Sequence, residues 1–138
     1  MNKTDLEALV EIRVKEATLL LDNDCYEGAY YLLGYSLECA LKACIAKKIK
    51  EHDFPDKSLA NKSYTHKLDE LIGVAELKPK LQKMKDNDEE FNLNWAVAKD
   101  WSEDIRYEKS IAKTTAQDFF EAVTNNKSGI LKWIKSWW

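Results

Sequence analysis

A chain of 138 residues and 16.0 kDa has the length of one domain, and residues 1–138 read as a single unit. Glycine (4) and proline (2) are too scarce for the corners of an all-β sandwich or barrel, while 45% hydrophobic and 11% aromatic residues exclude a disordered chain. A net charge of -3 argues against broad nucleic-acid binding, and only two of the 21 basic residues are arginine, Arg13 and Arg106.

In chain order, Thr4 and Glu7 have the spacing of a capping box, which predicts a first helix from there. Leu6, Leu9, Val10, Ala17, Leu20 and Leu21 then recur as one apolar face, with Arg13 in its middle. Asp22-Asn23-Asp24 reads as a turn, and a second helix is predicted from about Cys25 to Lys50. That helix is apolar on two stripes, one running Tyr26 to Cys44 and one from Gly28 through Cys39 and Ala43 to Ala46. A narrow strip of Glu27, Gly34, Glu38 and Lys42 is left for polar groups. A helix apolar nearly all round is buried on several sides, so this is the expected central element, and its small residues offer close approach to another helix, such as one from a second subunit.

Residues 52–63 read as a polar loop around Phe54-Pro55. Thr65 is the expected N-cap of a short helix whose inner face is Leu68, Leu71, Ile72 and Ala75. Pro79 suits the first turn of the next segment, and Asp86-Asn87-Asp88 interrupts it before Phe91, Trp95 and Ala98. Thr114 and Gln117 repeat the capping-box spacing for a last helix, whose apolar phase runs through Asn125-Asn126-Lys127-Ser128-Gly129 to Trp138. All five tryptophans fall in the last third, where packing is the ordinary use, and the final pair, Trp137 and Trp138, suits docking on another surface.

Three cysteines without a C-x-x-C read as reduced thiols, and the charged N-terminal residues predict no signal peptide. The longest nearly apolar run, Ala29 to Leu37, is half the length of a membrane span, so the expected compartment is the cytoplasm, with no membrane partner. There is no P-loop, no dinucleotide fingerprint and no nucleophile elbow. His52 and His66 form no Glu-x-x-His pair, and the Asp86-x-Asp88-x-Glu90 run has Phe91 and Val97 where a calcium loop needs glycine and glutamate. No cofactor and no metal are expected.

The polar residues at buried phases carry the stronger signal. Arg13 on an apolar face needs an anion, and Glu38, with Lys42 one turn on, is the natural candidate; the alternatives are an internal ion pair and a ligand-facing cluster. His66 lies in the first turn of its helix, and Arg106-Tyr107 closes another, where a cation also complements the helix dipole.

Arg13 with Glu16-Ala17, then Tyr26-x-x-Ala29-Tyr30-Tyr31-Leu32-x-Gly34-Tyr35-x-x-Glu38-x-Ala40-Leu41-Lys42-Ala43, His66-Lys67-Leu68-x-x-Leu71, and Trp101 with Arg106-Tyr107 resemble the HEPN domain over about residues 6–135. The resemblance implies an all-α, up-and-down bundle of four to five helices, often a homodimer. Such domains partner minimal nucleotidyltransferases, occur in toxin–antitoxin and phage-defence systems, and serve as metal-independent ribonucleases. The ribonuclease members carry Arg-x(4–6)-His; here the corresponding positions after Arg106 are Ile111, Ala112 and Lys113, and after Arg13 they are Thr18, Leu19 and Leu20. The expected function is therefore a non-catalytic, homodimeric module binding a nucleotide-like ligand or a protein partner. Its candidate ligand residues are Arg13, Glu38, Lys42, His66, Arg106 and Tyr107: Arg106 and Lys42 on phosphate, Tyr107 stacking, Glu38 orienting Arg13. The alternatives are an atypical ribonuclease using Arg106 with Tyr107 or His66, and a purely structural oligomerisation subunit.

Overall fold

The computed structural model describes residues 1–51 and 61–138, the side chains of residues 50 and 51 excepted. His52 and the Phe54-Pro55 turn lie outside the described residues. Among the described residues every regular element is helical: α1 (Lys3–Asp22), α2 (Tyr26–Glu51), α3 (Leu68–Val74), α4 (Lys78–Asn87), α5 (Glu89–Ala98), a 3-10 turn (Glu103–Tyr107), α6 (Lys113–Thr124) and α7 (Ile130–Lys135). No helix among them is long and apolar enough to cross a membrane.

Among the described residues seven α-helices stand in place of the expected four or five, because two apolar faces are broken by capping side chains. At the first break the Asp88 carboxylate accepts the Phe91 N–H at 3.0 Å and starts α5, as the Asp-Asn-Asp run suggests. At the second, the Asn125 side chain accepts the N–H groups of Lys127 (2.9 Å) and Ser128 (2.8 Å), so the last helix stops at Thr124 and restarts at Ile130. The predicted unbroken phase to Trp138 is therefore corrected. The Ser128 hydroxyl donates to the other Asp88 oxygen at 2.8 Å and ties the two breaks together.

These two bonds, the Phe91 N–H first, hold the Asp88 carboxyl below its usual range. A lowered folded-state pKa contributes stability that is present above about pH 4, the unfolded value, and is lost as pH falls through the folded value. Asp88→Asn is expected to flatten the acid loss of stability below about pH 4, read as urea midpoints at falling pH. Parallel midpoint curves for variant and parent would contradict the assignment.

Three N-termini also move. α1 is capped by Asn2, whose side chain accepts the Asp5 N–H at 2.8 Å while Asp5 accepts the Asn2 N–H at 3.2 Å, so the box lies two residues before Thr4. α6 begins at Lys113 after Ala112, with no side-chain cap, so Thr114 is already inside the helix. Thr65 is not the cap of α3 either; Lys67 is, and the Thr65 hydroxyl accepts the Lys67 N–H at 3.2 Å just outside it. The inner face of α3 is as read: Leu68, Leu71, Ile72 and Ala75 are all buried.

α2 is the central element, packed against α1, α3, α6, α7 and the 3-10 turn. Its stretch from Ser36 to Leu41 is buried without interruption, which its all-round apolar sequence requires. The small-residue stripe is filled from within the chain: Gly28 faces Leu20 of α1, where an added Cβ would come within 3.1 Å of the leucine, and Cys39 and Ala43 are core residues. The final tryptophans likewise pack on the chain's own core, with Lys80 over the Trp137 ring at 4.1 Å.

Cys25 is exposed, while Cys39 and Cys44 are buried. Burial pushes both buried thiols up to about 11; the Glu38 charge adds to this at Cys39, whereas nearby lysines oppose it at Cys44. Since the thiolate is the nucleophile, a maleimide is expected to add once to the native protein and three times in denaturant, read by intact mass. A second adduct under native conditions would contradict this packing.

Candidate functional site

The polar strip of α2 is the rail on which the site is built. Residues 27, 34, 38 and 42 fall on one line of a helix. The Glu27 carboxylate accepts the Ile111 N–H at 3.1 Å. Gly34 lies under the buried Trp101 indole, so closely that a Cβ there would sit 2.0 Å from Trp101 Cε2. Trp101 in turn stacks on Tyr31 at 6.2 Å between centroids. Together these contacts hold both ends of the irregular segment between α5 and α6 against α2, and with it the 3-10 turn that carries Arg106 and Tyr107.

Glu38 is 2% exposed and satisfied on both oxygens. Lys42 donates to Oε2 at 3.1 Å, and His66 Nδ1 lies 2.9 Å from Oε1. The other imidazole nitrogen, Nε2, is 3.3 Å from Glu103 Oε2, so His66 bridges a buried carboxylate and a surface one. A neutral ring can donate to one of these partners, and a protonated ring to both. Glu103 also faces Arg106, but at 3.8 Å, a loose contact that leaves most of the guanidinium fork to other acceptors.

Arg106 lies over the Tyr107 ring at 4.8 Å, and Tyr107 is 70% exposed. Tyr107 first, then Tyr31 and Glu103, raise the Arg106 pKa further above its ordinary value. The guanidinium is thus a permanent cation on an aromatic platform at the surface. On another side of Glu38 a cavity of about 270 Å³ is lined by Tyr35, Cys39, Lys42, Ile45 and Tyr64 among others. Burial raises the Tyr35 hydroxyl, with smaller contributions from Cys39 and Glu38.

Five of the six residues singled out from sequence therefore form one connected array: Lys42, Glu38, His66, Arg106 and Tyr107, the last two joined to the rest through Glu103. Arg13 does not pair with Glu38. It is half-buried on the inner face of α1 and pairs with Glu16 three residues on in its own helix, while Glu38 turns to His66 and Lys42. The expected role of Glu38 as orienter passes from Arg13 to His66.

Sequence reasoning missed Glu103 and Tyr31. Each carries a helical signal, Glu103 lying three residues before Arg106 and Tyr31 falling on the Glu27–Glu38 line. Among the described residues no group of three His, Cys, Asp or Glu side chains is arranged to hold a metal ion. Comparison with protein-family models, curated proteins and solved structures finds no match.

Proposed function

We propose that this protein is a non-catalytic, HEPN-like module, homodimeric, that binds a phosphate-bearing, nucleotide-like ligand over Arg106 and Tyr107. The observation that carries this reading is the exposed Arg106 guanidinium, seated on Tyr107 and 3.8 Å from its nearest carboxylate partner, Glu103. An exposed planar cation recognises phosphate, and an exposed aromatic ring beside it offers a face to a base. Lys42 joins from the Glu38 side as a point charge, while its bond to Glu38 limits its part.

Thermal unfolding against mono-, di- and trinucleotides tests the reading. A ligand at about 100 times its dissociation constant adds roughly 2.7 kcal/mol, which is several degrees for a domain of this size. The expected result is a shift that Arg106→Ala abolishes. No shift with any nucleotide would move the role to a protein partner, such as a minimal nucleotidyltransferase.

A second reading, the atypical ribonuclease, is favoured by one specific feature, the buried Glu38 that holds His66 by Nδ1 and leaves Nε2 on the Arg106 side. A carboxylate-oriented imidazole beside an arginine has the parts for proton transfer at a phosphodiester. RNA cleavage lost in both His66→Ala and Arg106→Ala would establish it; cleavage undiminished in either would exclude it.

A further inference from the structure

His66 stands between two carboxylates, and a neutral imidazole has an N–H for only one of them. Nδ1 lies 2.9 Å from Glu38 Oε1, and Nε2 lies 3.3 Å from Glu103 Oε2. A protonated ring donates from both nitrogens, whereas a neutral ring turns a lone pair on the second carboxylate. Glu38 is buried and has the stronger claim on the single N–H, since an oxygen left without a donor costs more inside than at the surface. Its other oxygen is held by Lys42 at 3.1 Å, so Glu38 stays in place. Glu103 is the partly exposed partner, and it is the carboxylate that a neutral ring rejects.

Glu103 has a second cation within reach. The same oxygen, Oε2, is 3.8 Å from Arg106 Nη1, and the two residues lie three apart on the 3-10 turn, where side chains at that spacing eclipse. A small rotation of the Glu103 side chain trades the His66 contact for a close one with Arg106. The neighbouring groups keep their charge state near neutrality: Arg106 stays a cation, the Cys39 thiol beside Glu38 is pushed up to about 11, and the Tyr35 hydroxyl is raised. Glu70, on the helix that follows His66, accepts the Thr65 hydroxyl. Glu103 is thus one carboxylate shared between a switchable cation and a permanent one.

We infer that protonation of His66 switches anion binding at Arg106, with Glu103 as the moving part. The inference rests on the phosphate-binding reading above and adds its regulation. With the ring protonated, Glu103 stays on Nε2 and the Arg106 guanidinium is open to the ligand phosphate. With the ring neutral, Glu103 turns onto Arg106 and fills the anion site from within. Phosphate binding therefore takes up a proton at His66, and acid favours the ligand-bound state.

The test begins without ligand, as an NMR titration of the full chain from about pH 5.5 to about pH 8, which spans the ordinary histidine range. His52→Gln removes the only other histidine, so the imidazole signals are those of His66. The expected result is that the Arg106 Cζ and Tyr107 ring signals move with the same midpoint as the His66 ring, and that Glu103→Gln abolishes this movement. An Arg106 signal that ignores the His66 midpoint, or follows it unchanged in Glu103→Gln, would overturn the inference. Calorimetry with ATP then reads the consequence, Glu103→Gln serving as the control for the titration of ATP itself. Between the two ends of the range the parent should gain affinity toward acid by about threefold more than Glu103→Gln does, the size of an exposed ion pair. Binding with the same pH dependence in both proteins would overturn the switch and leave the Arg106 reading intact. No binding at either pH would overturn that reading, and the switch with it.

Discussion

Gly34→Ala is expected to lower stability by about 3–5 kcal/mol, the range for losing a large aromatic side chain from a core. In a solvated helix the same change would raise stability by up to about 1 kcal/mol, because alanine is the better helix former. Here the added Cβ would meet Trp101 Cε2 at 2.0 Å and Nε1 at 2.1 Å, and Tyr31 stacks on the same indole. The ring has no room to tilt, so it must leave, and the chain through Arg106 goes with it. Urea unfolding gives the magnitude. A Trp101→Ala background gives the cause, since Gly34→Ala should there become neutral or mildly stabilising. A loss that stays the same in both backgrounds would show that Trp101 is not what Gly34 accommodates.

Glu38→Ala is expected to cost about 2–3 kcal/mol, somewhat less than the roughly 3–5 kcal/mol for breaking a fully buried ion pair. The discount follows from its partners: the Lys42 and His66 side chains are 22% and 41% exposed and can turn to water once the carboxylate is gone. Glu38→Gln keeps an acceptor for one partner and should cost roughly half as much. The same variants release His66 from one side, so its ring signals should move toward those of a freely rotating imidazole in Glu38→Ala. A stability loss below about 0.5 kcal/mol, the ordinary range for a surface change, would contradict a buried, doubly bonded Glu38.

Much of this architecture was legible in the residues because it follows from side-chain chemistry on a single helix. α2 reads as central since it has almost no solvated face, and the strip that remains polar is where the irregular segment docks. Glu38 could be singled out because Arg13 on an apolar face needs an anion and Glu38 lies on the narrow polar strip of α2. The partner expected for it, Arg13, was wrong. Arg13 found Glu16 on its own helix, a local pairing that needs no tertiary docking, and the free valence of Glu38 went to His66 from a distant turn.

The helix ends were harder, for a physical reason. Asn2/Asp5 and Thr4/Glu7 have the same capping spacing, and the side chain that reaches the free N–H groups first sets the start. The break at Asn125 was hidden because the apolar residues on either side, Val123 and Ile130, both face the core whether or not the helix is continuous. Trp101 was noted as an aromatic, but its seat on Gly34 is a property of two residues far apart in the chain. Only packing brings them together.

The most direct test of the central claim is calorimetric titration of a nucleoside triphosphate and its mono- and diphosphate into the parent protein, Arg106→Ala and Tyr107→Ala. Saturable binding of at least one of them to the parent is expected. Affinity should fall at least tenfold, or about 1.4 kcal/mol, in each variant, Arg106→Ala losing the phosphate contact and Tyr107→Ala the stacked base. Equal affinity in all three proteins, or no binding to the parent, would contradict the claim.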